Sequence, residues 1–189
     1  MISRFPVPEV ADLPEDLRDR ILQVQEKSGF VPNVFLGLAY RPDQLRLFMD
    51  YHDALMDADE PLTKAEREMI VVATSARWSC LYCVVAHGAI LRIRAKDPLI
   101  ADYLATNYRQ ADVTDKQRAM LDYCVLLSVD PDRIDEEQHR KLRDAGWSDD
   151  AIWDMSAITA FFSMSNRLVH AAGIPPNPEF HLLGRVPRG

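Results

Sequence analysis

Residues 79–87 read SCLYCVVAH. Two of the three cysteines in the chain, Cys80 and Cys83, stand three apart here, and His87 follows four residues after the second. Thiols at that spacing can close into a disulfide, and an imidazole beside a thiol can take its proton or stabilise the thiolate. The same residue types can also hold zinc or pack in a core. Positions 80, 83 and 87 are i, i+3 and i+7, so all three share one helical face. Ser79 reads as the N-cap of a helix opening at Cys80, whose first-turn N–H groups would favour a thiolate there. Glu68 lies upstream in the pattern Glu-x11-Cys-x2-Cys-x3-His. If the chain folds back at Arg77-Trp78, that carboxylate can face His87, orient it and accept its proton.

The elements that must position these residues are helices. The sequence has seven glycines, no Asn-Gly or Asp-Gly pair, and almost no strand alternation. Thr63-Lys64-Ala65-Glu66 and Thr114-Asp115-Lys116-Gln117 are capping-box patterns. Pro14, Pro42 and Pro98 fit first helical turns, and Gly173 before Ile174-Pro175-Pro176 is a stop signal. Helices are predicted at 14–28, 42–58, 63–77, 79–95, 97–108, 114–129, 135–145 and 148–171. Ile70-Val71-Val72 alone could be a strand, but it follows a capping box and continues into Ala73, Ala76 and Trp78. The expectation is one all-α domain over residues 1–189, with a Pro-rich tail at 174–189. Phe180, Leu182 and Leu183 would lay that tail on another surface, such as a second subunit; the alternative is a frayed tail. Asp149-Asp150-Ala151…Asp154-Met155 echoes Thr63-Lys64-Ala65…Glu68-Met69, and Asn166-x3-His170 echoes Cys83-x3-His87. An internal duplication would explain this.

Composition narrows the function. The chain has 189 residues, 48% of them apolar, and a formal charge of −7. An acidic chain without basic clusters argues against nucleic acid as a partner. No apolar run reaches the ~18 residues that a membrane span needs, and the opening MISRFPVPEV lacks the apolar centre of a signal peptide. A cytoplasmic location follows, where a Cys-x-x-Cys pair is catalytic or metal-binding more often than a structural staple.

Glu68, Cys80, Cys83 and His87 match the spaced motif of the alkyl hydroperoxidase D-like family, within the carboxymuconolactone decarboxylase superfamily. The run LTKAEREMIVVATSARWSCLYCVVAHGAILR resembles the family core. GFVPNVFLGLAYRPDQL and AITAFFSMSNRLVHAAGIPPNPEF are similar to its peroxidase-related branch. The resemblance implies an all-helical fold, a homo-oligomer, and reduction of a hydroperoxide at the cysteine pair. It implies Cys83 as the peroxidatic thiol, Cys80 as the resolving thiol, and His87 with Glu68 as the proton relay. A dithiol or thioredoxin-like donor would restore the pair. No cofactor or metal is required, because the two sulfurs carry both electrons. The family pattern has a histidine just before the second cysteine where this chain has Tyr82, a group that cannot act as a base at neutral pH.

Other readings of the motif are a zinc-stabilised or structural assembly protein and a decarboxylase-like enzyme. Against zinc, all three candidate ligands fall in one helix and no second Cys-x-x-Cys exists. Cys124, in LDYCVLLSV, reads as core. His170 reads as a cap or interface residue, and His52 as either a pocket or a surface residue. His139 and His181 read as surface.

Overall fold

The structure, a computed structural model, describes residues 1–185, so residues 186–189 of the tail lie outside the description. Among the described residues there are nine α-helices and no strand. They are α1 (Glu15–Ser28), α2 (Asn33–Leu38), α3 (Pro42–Met56), α4 (Lys64–Arg77), α5 (Leu81–Ala95), α6 (Ile100–Asn107), α7 (Asp115–Val129), α8 (Glu136–Asp144) and α9 (Asp149–Ala172). No helix among these residues is long and apolar enough to cross a membrane.

Both capping boxes form. Thr63 and Thr114 each accept the backbone N–H three residues on, and the Glu66 and Gln117 side chains return to the cap N–H. Gly29 and Gly173 close α1 and α9 in the left-handed conformation, which glycine adopts without steric cost. Pro42 opens α3 as its first residue. Pro14 is the N-cap of α1, one place earlier than predicted. Pro98 precedes its helix altogether, because Asp97 Oδ1 accepts the N–H groups of Leu99 at 2.8 Å and Ile100 at 3.3 Å and so starts α6 later.

Helix α4 is the centre of the domain. Every residue from Arg67 to Ser75 is buried, and the helix packs on α5, α9, α7 and α6. Ile70-Val71-Val72 is helical and wholly buried. Each such side chain contributes about 1.5–3 kcal/mol through burial. Arg67 is fully buried as well. Its guanidinium donates to the carbonyls of Leu55, Ala58, Glu60 and Leu62 and pairs with Asp154 at 2.9 Å, which fixes the turn between α3 and α4.

Helix α2 is the element that periodicity did not predict. Six residues are too few to show a period, and its opening N–H groups are satisfied from far along the chain. Asn33 N–H donates to Asn177 Oδ1 at 2.7 Å and Val34 N–H to the Tyr82 hydroxyl at 3.3 Å.

The tail packs on its own chain. A short 3-10 turn at Pro178–His181 buries Phe180 edge-on to Phe30, with ring centres 4.9 Å apart. Arg92 donates to Phe180 O and Leu183 O, and Asn177 Nδ2 donates to Val31 O. These polar anchors on α5 and before α2 are what a proline-rich segment needs, having few backbone donors of its own.

The echo between 63–87 and 149–170 does not extend to its chemistry. Asp154, the counterpart of Glu68, pairs with Arg67, while His170 Nε2 lies 3.0 Å from the carbonyl oxygen of Trp78.

Candidate active site

The α4–α5 hairpin turns within three residues. The N–H groups of Trp78, Ser79 and Cys80 return to the carbonyls of Ser75, Ala76 and Ser75. Ser79 takes a positive φ of 52° in this turn, and Cys80, not Ser79, is the N-cap of α5. The predicted cap is therefore displaced by one residue. The chemical consequence is large. Cys80 and Cys83 occupy N-cap and N3, the two positions whose side chains meet in a capping box. Their sulfurs lie 3.0 Å apart, both thiols are free, and both are buried.

The same hairpin brings Glu68 to His87. One lies ten residues before Trp78 and the other nine after it, so antiparallel packing sets them level. Glu68 Oε2 is 2.7 Å from His87 Nδ1. The second oxygen, Oε1, accepts from Arg94 Nη1 at 3.0 Å. Glu68 is 1% exposed, and the Arg94 charge beside it keeps an ionised carboxylate tolerable there. With Nδ1–H donated to Glu68, Nε2 is the imidazole atom left for proton exchange. Phe162 packs edge-on against His87 at 4.7 Å and walls this side of the site.

The structure brings the four predicted residues together as two buried pairs on one hairpin, Cys80 with Cys83 and Glu68 with His87. Sequence reasoning missed Arg94, although it continues the helical face of 80, 83 and 87 two turns further. It left His52 undecided. That ring lies 6.1 Å from His87, with its Nδ1 3.0 Å from Asp53 Oδ1. Ser75, Ser165 and Asn166 carried no sequence signal, because polar residues on apolar helices are ordinary. Ser165 and Ser75 reach the Cys83 sulfur, and Ser75 Oγ donates to Asn166 Oδ1 at 3.1 Å.

The two thiols share their charge unequally. The hydrogen bond from Cys83 lowers the Cys80 thiol to about 7, and the N–H groups of Cys83 and Tyr82 with His170 assist it against burial. Cys83 is pushed up by holding the proton of that bond and by burial. The thiolate that the pair forms is therefore seated on Cys80, at the helix N-terminus. Burial also pushes the Tyr82 phenol up, and its oxygen accepts the Val34 N–H. Tyr82 anchors α2 where the family pattern has a histidine. Cys124 is wholly buried and is pushed up to about 12, as befits a core residue. Among the described residues no group of three or more His, Cys, Asp and Glu is placed to hold a metal ion.

A crystal structure of the alkylhydroperoxidase AhpD core from Ralstonia eutropha JMP134, an uncharacterized peroxidase-related protein, is 58% identical to this chain. It superposes with a TM-score of 0.97 over 100% of this chain and 99% of that one. The chain belongs to the AhpD-like family. The model of the carboxymuconolactone decarboxylase family matches residues 42–99, which contain Glu68, Cys80, Cys83 and His87. A second AhpD-like relative, an uncharacterized peroxidase-related protein from Silicibacter sp. TM1040, is 37% identical. Its TM-score is 0.91, over 97% of this chain and 96% of that one. The debrominase Bmp8 shares the fold at 21% identity and a TM-score of 0.77, over 96% of this chain and 97% of that one. Comparison with curated proteins gave no match. Membership of the AhpD-like family supports a peroxidase-related or decarboxylase-type enzyme.

Proposed function

We propose that the chain is a thiol-dependent peroxidase that reduces hydroperoxides at Cys80 and Cys83. The observation that supports this most is the 3.0 Å separation of two free, buried sulfurs within one hairpin of the Glu68–His87 pair. A disulfide forms at about 2.05 Å, so side-chain rotation of roughly an ångström closes the bridge without moving the helix.

The chemistry begins with one charge on two sulfurs. A proton crosses from Cys83 to Cys80, and the Cys83 thiolate attacks one peroxide oxygen. The O–O bond breaks, Cys83 becomes a sulfenic acid, and the departing alkoxide takes the proton that Cys80 had received, leaving as the alcohol and returning Cys80 to the thiolate. Cys80 then attacks the Cys83 sulfur. The S–S bond forms, the S–O bond breaks, and the oxygen leaves as water after taking a second proton. Two thiols have lost two electrons, and the peroxide has gained them. A dithiol or thioredoxin-like donor returns the pair to its reduced form.

Cys83 is assigned the attack because Ser75 and Ser165 reach its sulfur, Asn166 bonds Ser75, and His87 follows one helical turn on. The lower Cys80 thiol suits the resolving step, in which it must be a thiolate. His87 moves protons through Nε2, and Glu68, held by Arg94, orients it.

The test counts free thiols before and after one equivalent of hydroperoxide. Two thiols should vanish together, and steady consumption should appear when a dithiol is supplied. Three thiols still free would remove the reading. A decarboxylase-like reaction at the Glu68–His87–Arg94 group would instead survive Cys80→Ser.

The active form is further proposed to be a homo-oligomer. Helices α3 and α9 expose Leu47, Tyr51, Met164 and Leu168 around an apolar cavity of ≈ 680 Å³. Phe161 lines that cavity and packs on Phe162, the wall of His87. A second copy seated there would take these exposed apolar side chains out of water.

A further inference from the structure

Asn166 lies on α9 and is 1% exposed. Its Oδ1 accepts the Ser75 hydroxyl at 3.1 Å, which fixes the carboxamide plane. Its Nδ2 has no protein partner. Among the described residues it is the one buried side-chain nitrogen or oxygen in that condition. Buried donors are nearly always paired, since an unmade bond sacrifices the hydration of the group and gains nothing. An exception next to a reactive sulfur indicates a partner that is present only part of the time. The neighbours identify where that partner sits. Ser165 and Ser75, on either side of Asn166, both reach Cys83. Asn166 is thus joined to that sulfur's surroundings through Ser75, which it bonds, and Ser165, its neighbour on α9.

We infer that Asn166 Nδ2 is a hydrogen-bond donor to the oxygen that a hydroperoxide delivers to Cys83. This rests on the peroxidase reading above. The oxygen carries partial negative charge as the S–O bond forms. It carries more when Cys80 attacks and the S–O electrons withdraw onto it before it leaves as water. A fixed donor in a buried site stabilises that charge without reorganising. The ligand class is thus a peroxide or sulfenyl oxygen, and Ser75 is the positioning residue that aims the donor.

The experiment compares two rates in each variant at one pH: peroxide-driven loss of two thiols, and alkylation by iodoacetamide. Both need the thiolate, but alkylation delivers no oxygen to the sulfur. Their ratio therefore cancels changes in thiolate population. Asn166→Leu, close in size and without a donor, should lower the ratio about a hundredfold, as removal of one such donor does elsewhere. Asn166→Asp keeps the shape, replaces the donor with an acceptor, and should lower the ratio likewise if the leucine variant fails to fold. A ratio equal to that of the wild type overturns the inference. A wild-type chain that alkylates normally but does not consume peroxide overturns the parent reading, and this one with it.

Discussion

Glu68 holds His87 through one carboxylate oxygen at 2.7 Å and Arg94 through the other at 3.0 Å, inside a helical hairpin and almost out of contact with water. A buried carboxylate with two charge-assisted partners is oriented as firmly as the backbone that carries it. Glu68→Gln keeps the shape and removes the charge. It can no longer draw the His87 Nδ1 proton strongly, and it leaves Arg94 with a neutral neighbour. The expected result is a fall of about a hundredfold in peroxide turnover, the usual scale for a positioned proton-transfer group. The rate of thiol alkylation by iodoacetamide should fall far less. Equal losses in both would mean that the carboxylate only supports the fold.

The division of charge between the sulfurs predicts a pH profile. The Cys80 thiol is lowered to about 7, chiefly by the hydrogen bond from Cys83. Alkylation should therefore rise with pH through a midpoint near 7 and then level off, because Cys83 is pushed the opposite way. The sign follows from the reactive form being the thiolate, which gains population as pH climbs past the acid's own value. Cys83→Ala removes the thiol donor and should move the midpoint up, toward ordinary thiols. A midpoint unchanged by that substitution would assign the acidity to the helix terminus alone.

Sulfenate trapping separates the two cysteine roles. Cys83→Ser should abolish the trapped adduct after peroxide treatment, whereas Cys80→Ser should let it accumulate, since nothing remains to resolve it. The opposite pattern would exchange the roles and make the resting thiolate the attacking one. Mass spectrometry of the trapped protein reads the outcome directly.

The line between what the sequence showed and what it withheld follows the range of the interactions. Helices α4 and α7 and their capping boxes were legible because those signals are local: Thr63 and Glu66 need only each other. The Glu68–His87 meeting was legible conditionally, since it depends on where the hairpin turns. The turn itself hid a detail. Ser79 has the chemistry of an N-cap but sits at a positive φ, so the cap falls to Cys80. Helix α2, the buried Arg67 and the placement of Phe180 were illegible for one reason. Their partners, Asn177, Asp154 and Phe30, are tens of residues away. The same holds for Ser165 and Asn166, whose polarity has meaning only once α9 is laid against Cys83.

Tyr82 tests the departure from the family pattern. If its hydroxyl serves α2 rather than a proton relay, Tyr82→Phe should leave peroxide turnover within about twofold. It should cost about 1 kcal/mol of stability, the scale of one neutral hydrogen bond whose N–H partner is left half-buried. In a chain of this size that lowers Tm by about 2–4 °C. A large loss of turnover at unchanged Tm would place the phenol in the chemistry instead.

Leu47 stands 69% exposed on α3 at the edge of the apolar cavity, among Tyr40, Tyr51, Met164 and Leu168. A charge introduced there has little to disturb within one chain, because the side chain already faces water. Within an oligomer it would be trapped against an apolar surface, where an unpaired carboxylate is strongly disfavoured. Leu47→Glu should therefore convert an assembly into single chains at micromolar concentration, read by sedimentation or light scattering, with Tm of the isolated chain little changed. Turnover carries the second half of the argument. Phe161 connects this face to Phe162 and so to His87. Dissociation should loosen that wall and lower peroxide turnover, while thiol alkylation rises as the cysteine pair becomes easier to reach. A wild-type chain that sediments as a monomer would end the oligomer proposal and leave the redox chemistry standing.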